Sequence, residues 1–174
     1  MNLPLDRATL GALYRSHGAM VLRRARSILR DESAAEDVLQ EVFSSLVSRP
    51  EQFDGRSAPS TMLYAMTTHF CLQRLRDAAN RDRLRKLHLV RDESVEADAS
   101  SRLLQREVLA ALPEEQAAAC LYAFADGMTW DEVAEVMGCS RRHVANLISR
   151  ARASVAGDET PVTLAAAGST KGGA

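Results

Sequence analysis

A chain of 174 residues holds one ordinary domain or two small ones. Its 46% hydrophobic content with only 5% aromatics suits a helical, Ala/Leu/Val-rich globular protein, and no apolar run approaches a membrane span. The net charge of −1 excludes no partner, because the charges are unevenly placed: residues 74–91 hold seven Lys/Arg against two Asp, while Asp31 to Asp54 is strongly acidic. Cys71, Cys120 and Cys139 form no CxxC, which fits a reducing compartment better than a disulfide framework. The opening MNLPLDRATL lacks the basic-then-apolar order of a secretory signal, so a cytoplasmic protein without membrane insertion is expected.

Four helical segments are expected before residue 92. Leu10, Leu13 and Tyr14, then Val21, Ala25 and Ile28, recur at helical spacing with an interruption near His17-Gly18. Ser33 with Glu36 reads as a capping box that starts the next helix. That helix buries Val38, Leu39, Val42, Phe43 and Leu46 and stops before Pro50. RPEQFDGRSAP is a loop. Pro59 suits the first turn of a further helix, where its missing amide costs nothing. Leu63, Met66 and Phe70 should face a core there, and the basic run extends the same helix. DESVEADASS, residues 92–101, is acidic, poor in apolar residues and reads as a flexible linker.

Beyond it come RLLQREVLAAL and a helix from Pro113 to Phe124, ended by Asp126-Gly127. Thr129 and Glu132 form another capping box, Gly138 fits a left-handed helix end, and Ser140 caps the last helix. The tail from 157 is small and polar, as in disordered segments. The fold class expected is all-α. Two small helical domains, 1–91 and 102–156, flank the linker at 92–101 and precede the tail at 157–174.

The break at Gly138-Cys139-Ser140 between two capped helices is the turn of a helix-turn-helix. Ala134 is the small residue at the crossing, and Val144 and Leu147 pack the second helix onto the first. Trp130 is expected to be a packing anchor. Ser140, Arg141, Arg142, His143 and Asn146 then face outward. Arginine forks match guanine edges and phosphates, and asparagine pairs with adenine, so this face suits a DNA major groove. Arg150 and Arg152 lie further along, where the helix approaches phosphates. The plain reading of these arginines is a solvated helix face, but the turn geometry and the absence of acids favour DNA. Cys139 and His143 stand i, i+4, yet cysteines at a helix turn are ordinarily packing residues, and no metal or cofactor is expected. No phosphate-binding glycine loop or catalytic triad pattern is visible, which argues against an enzyme.

From Leu10 to Val155 the chain resembles a bacterial sigma factor of the extracytoplasmic-function (ECF) group. In the first half the resemblance rests on LYRSHGAMVLRRARSILRDESAAEDVLQEVF, within which AEDVLQEVF is the most specific piece. In the second half it rests on LPEEQAAACLYAFADGMTWDEVAEVMGCS and the later RAR. The resemblance implies that Asp37, Gln40 and Glu41 dock on the β′ clamp helices of RNA polymerase core, with the β flap as a second contact. It implies that the loop Phe53 to Ser60, with Phe53, Asp54, Arg56 and Ser60, captures a flipped base of the −10 element. Arg74, Arg76, Arg81, Arg83 and Arg85 would track phosphates, and the helix-turn-helix would read the −35 element. Promoter DNA, polymerase core and an anti-sigma factor are the implied partners.

The chain departs from the family pattern. Where WLYRIARN is usual it has MLYAMTTH, so Met62, Ala65 and His69 replace Trp, Arg and Asn. Gln73 and Asp77 alter the usual DRLRR, SSLVSR lacks an expected tryptophan, and Ala145 and Leu147 stand where Lys and Arg are common. Besides a promoter-specificity subunit, two readings stay open: a plain helix-turn-helix regulator, and a sigma-like decoy that binds an anti-sigma protein without melting DNA.

Overall fold

A computed structural model describes residues 7–50, 57–86 and 105–157. Phe53, Asp54, Arg56, the side chain of Arg85, the 92–101 segment and the tail beyond 157 lie outside the described residues. Among the described residues every regular element is helical, and none of the helices is long and apolar enough to cross a membrane. The chain divides into two compact units, Met1–Glu93 and Ser94–Ala174.

In the first unit α1 (Arg7–Leu29), α2 (Glu32–Ser48) and α3 (Pro59–Lys86) each pack against the other two. α1 runs unbroken through His17 and Gly18, so this unit has three described helices where four segments were expected. Gly18 is buried facing Leu39 of α2, and that packing outweighs the weak helix propensity of glycine. A methyl added there would stand 4.0 Å from Leu39 and from the Tyr14 ring, ordinary contact distances. Gly18→Ala should therefore stabilise the unit by about 0.5–1 kcal/mol. A higher urea midpoint at unchanged slope is the check, and a lower midpoint would mean that the α1–α2 contact tolerates no methyl.

The link to α2 is made by Arg30, in the left-handed region at φ 55, and Asp31. The Asp31 carboxylate accepts the Ala34 amide at 2.8 Å, so the helix starts before the expected Ser33 box. Aspartate caps as well as serine does, and with Asp31 as the cap Glu32 falls in the first turn, where it complements the helix dipole. Arg26 closes the corner by pairing with Glu32. α2 then buries Ala35, Val38, Val42, Phe43 and Leu46, with Leu39 half-buried. Tyr14, expected in the core, is half-exposed and lays its ring edge on Phe43 at 5.0 Å.

α3 starts at Pro59 as expected, but its core face is phased differently. Leu63, Thr67, Thr68, Cys71, Leu72 and Leu75 are buried, whereas Met66 and Phe70 are only half-buried. The threonines enter the core because their hydroxyls donate back to the helix, Thr67 to the Leu63 carbonyl at 2.6 Å and Thr68 to that of Tyr64 at 3.0 Å. Burial pushes the Cys71 thiol up to about 12, which makes it an inert packing residue.

The second unit contains α4 (residues 105–111), α5 (Glu114–Cys120), α6 (Trp130–Met137) and α7 (Arg141–Gly157). α5 follows Pro113 and does not continue as α-helix to Phe124. It widens into a π turn over Leu121–Ala125, with the Asp126 amide donating to the Leu121 carbonyl at 3.0 Å. Gly127 then reverses the chain at φ +69. α7 packs on both α5 and α6. Trp130, at the first position of α6, is 39% exposed and anchors no core, contrary to expectation.

Candidate nucleic-acid and protein interfaces

The geometry of α6 and α7 follows from local hydrogen bonding. The Thr129 hydroxyl accepts the Glu132 amide, and the Glu132 carboxylate accepts the Thr129 amide at 2.8 Å, a reciprocal capping box. The Thr129 amide and, after it, the Thr129 hydroxyl donating to the same carboxylate at 2.8 Å hold the Glu132 carboxyl below its usual range. At the other end Gly138 adopts φ 63 and ψ 34. The Cys139 amide reaches back to the Ala134 carbonyl at 2.9 Å and the Gly138 amide to that of Glu135 at 3.2 Å. Ser140 restarts the chain as a helix by accepting the His143 amide at 3.2 Å. Val133, Ala134, Val144, Leu147, Ile148 and Ala151 are buried, so the turn is locked from both sides.

Ser140, Arg141, Arg142, His143, Asn146, Arg150 and Arg152 are all exposed. Three of them have neighbours within the unit. Arg141 lies 3.2 Å from the Asp131 carboxylate, His143 Nε2 lies 3.7 Å from Glu115, and the Arg152 guanidinium sits 5.5 Å from the Phe124 ring centre. Such exposed pairs are weak, typically below about 1 kcal/mol, and yield readily to a phosphate or a base edge.

On the first unit Asp37, Gln40 and Glu41 are exposed along the polar face of α2, opposite buried Val38, Val42 and Phe43. Arg74 of α3, expected among the phosphate contacts, turns toward them. Its Nη1 donates to Asp37 at 3.0 Å, Nη2 to Glu41 at 2.6 Å, and Nε to the other Glu41 oxygen at 3.5 Å. The guanidinium is held more firmly charged, first by the bond to Glu41 and, against an opposing cost of burial, by that to Asp37. Arg81 and Arg83 are exposed on the later turns of α3, Arg76 is half-buried, and Ser60 is half-buried in its first turn. Sites assigned separately, an acidic protein-facing surface and a basic nucleic-acid stretch, meet at one arginine.

Two family descriptions cover the two units: Sigma-70 region 2 matches residues 13–81 and Sigma-70, region 4 matches residues 103–155. The ECF RNA polymerase sigma factor SigM of Mycobacterium tuberculosis is 28% identical over 153 residues, 87% of this chain and 77% of SigM. The chain belongs to the ECF sigma factors. The probable RNA polymerase sigma-C factor of Mycobacterium bovis is 26% identical over 137 residues, 76% of this chain and 74% of that protein. Among solved structures, the sigma factor RpoE in complex with the anti-sigma factor NepR from Bartonella quintana aligns with a TM-score of 0.48 at 15% identity, over 84% of this chain and 96% of that one. The chain is an alternative sigma factor, and its family membership implies polymerase core and promoter DNA as partners.

In this sigma factor three of the departures from the family pattern meet in space. Ala65, His69 and Gln73 line one side of a half-open groove of about 370 Å³ between α2 and α3, with Ser45 and Arg49 on the other. Ala65 fills little of the space that an arginine would take. Burial, with Arg76 adding to it, holds the His69 imidazole below its ordinary pKa of 6.5.

One important residue of this sigma factor escaped the sequence reading. Arg24 is buried, its Nε donates to Thr68 at 3.3 Å, and its guanidinium lies 4.4 Å from the Tyr64 ring centre. Its position was a usable signal. Val21, Arg24, Ala25 and Ile28 recur at i, i+3, i+4 and i+7, which puts an arginine on the apolar stripe.

Proposed function

We propose that this sigma factor docks on the β′ clamp helices of polymerase core through Asp37, Gln40 and Glu41, with the β flap as a second contact. Phe53, Asp54, Arg56 and Ser60 would then engage the −10 element, and Arg76, Arg81 and Arg83 of α3 its phosphates. The second unit reads the −35 element by placing the start of α7 in the major groove. The division of labour is one domain at 1–91, a linker at 92–101 and a second domain at 102–156. The observation that carries this reading is the helix-turn-helix, locked by its caps and presenting Arg141, Arg142 and Asn146 outward.

Arg142 and Arg150 are eight positions apart on one helix, about 12 Å along its axis, so one can enter a groove while the other meets the backbone. Arg142→Ala should relax discrimination at one or two −35 positions by about 1–3 kcal/mol. Arg150→Ala should weaken binding to every sequence alike and lower the salt dependence by about one counterion. The measurement is holoenzyme binding to a panel of −35 variants at several salt concentrations. Uniform losses for both substitutions would mean that α7 lies on the backbone and reads no bases.

The groove at Ala65 and His69 favours one second reading, a decoy that binds an anti-sigma protein and does not open DNA. Run-off transcription with purified core separates the two: transcripts from a cognate promoter eliminate the decoy, and tight core binding without any transcript supports it.

A further inference from the structure

We infer that Arg74 is a positioning residue of the polymerase-facing surface, holding Asp37 and Glu41 in place from the neighbouring helix, and is not a phosphate contact. The inference rests on the docking role proposed for those two carboxylates. Asp37 and Glu41 stand one turn apart on α2, where like charges repel and long side chains sample many rotamers. Arg74 reaches both at once, through Nη1 to Asp37 and through Nη2 and Nε to the two oxygens of Glu41. The guanidinium fork matches a carboxylate plane, so this contact fixes orientation as well as charge.

Each carboxylate oxygen has two lone-pair sites, so both acids keep acceptor capacity for donors on an incoming protein. The three side chains together carry one negative charge, where the two acids alone would carry two. With Arg74 only 30% exposed and its fork spent on α2, a phosphate has no comparable access to it. The nucleic-acid stretch of α3 accordingly begins beyond Arg74, with the half-buried Arg76 and the exposed Arg81 and Arg83.

The test uses the full chain with purified core polymerase and measures core affinity and, at saturating core, the salt dependence of promoter binding. Arg74→Ala should weaken core binding about five- to tenfold, within the range of coupling between contacting charged groups. Arg74→Lys, which keeps the charge and loses the fork, should restore only part of it. In a Glu41→Ala background, Arg74→Ala should have at most a small further effect, because the group that it positions is gone. The salt dependence should stay at its wild-type slope, whereas Arg81→Ala should lower that slope and leave core affinity unchanged.

Wild-type core affinity in Arg74→Ala overturns the inference, as does tighter core binding, which would make Arg74 a competitor for the acids. A lowered salt slope in Arg74→Ala overturns it in favour of a phosphate contact. Fully independent effects of the Arg74 and Glu41 substitutions would also overturn it. The underlying docking reading fails separately, if reversing the charge of Asp37 and Glu41 themselves leaves core affinity intact. Far-ultraviolet circular dichroism and the reactivity of buried Cys71 confirm that each variant is folded.

Discussion

Arg24→Ala should cost the first unit about 2–4 kcal/mol, the largest stability loss expected from any single polar side chain described in it. The substitution removes a desolvated cation–aromatic contact with Tyr64, worth roughly 2 kcal/mol, the hydrogen bond to Thr68 and the packed stem. For a domain of this size the melting temperature should fall by roughly 10 °C or more. Arg24→Met keeps most of the stem and should cost far less, about 1 kcal/mol. Thr68 stays satisfied in that variant, because its hydroxyl still donates to the Tyr64 carbonyl. The two units can be followed apart in one urea titration. Cys71 is fully buried and becomes reactive only when the first unit opens, while the single tryptophan, Trp130, reports the second. A loss under about 0.5 kcal/mol for Arg24→Ala would mean that the contact is a consequence of packing and not one of its causes.

Reversing both acids of α2, Asp37→Lys with Glu41→Lys, should raise the dissociation constant for polymerase core roughly 100-fold or more. Juxtaposed like charges cost several kcal/mol, and about 2.7 kcal/mol already gives that factor. The two lysines would also face Arg74, so the surface loses its preorganisation along with its sign. The helix itself should survive. Ala35, Val38, Val42, Phe43 and Leu46 anchor α2 from the opposite face, and exposed ion pairs contribute little to folding. The check is a pull-down or a titration against core, with helical content measured on the same preparation. Unchanged core affinity would remove the docking assignment.

The sequence by itself determined the all-helical class and the helix-turn-helix. The Thr129–Glu132 box, the left-handed Gly138 and the Ser140 cap are all made between residues no more than five apart. Chemistry of that range is written in the order of the residues, whatever the rest of the chain does. Pro59 as a helix start and the outward face of α7 were legible for the same reason. Where local signals competed the reading faltered: Ser33 looked like a cap, and Asp31, two residues earlier, took the role. Only tertiary structure decided that Gly18 sits inside a continuous helix, since what favours it there is Leu39 on another element. It likewise decided that Thr67 and Cys71, not Met66 and Phe70, face the core, because the partner helices select which of two similar stripes they cover. The pairings of Arg24 with Thr68, 44 positions away, and of Arg74 with Glu41 and Asp37, 33 and 37 positions away, have the same origin. Periodicity states which residues share a face of one helix. Which side chains meet across two helices depends on their crossing and rotation, and those are set by the packing of the whole unit.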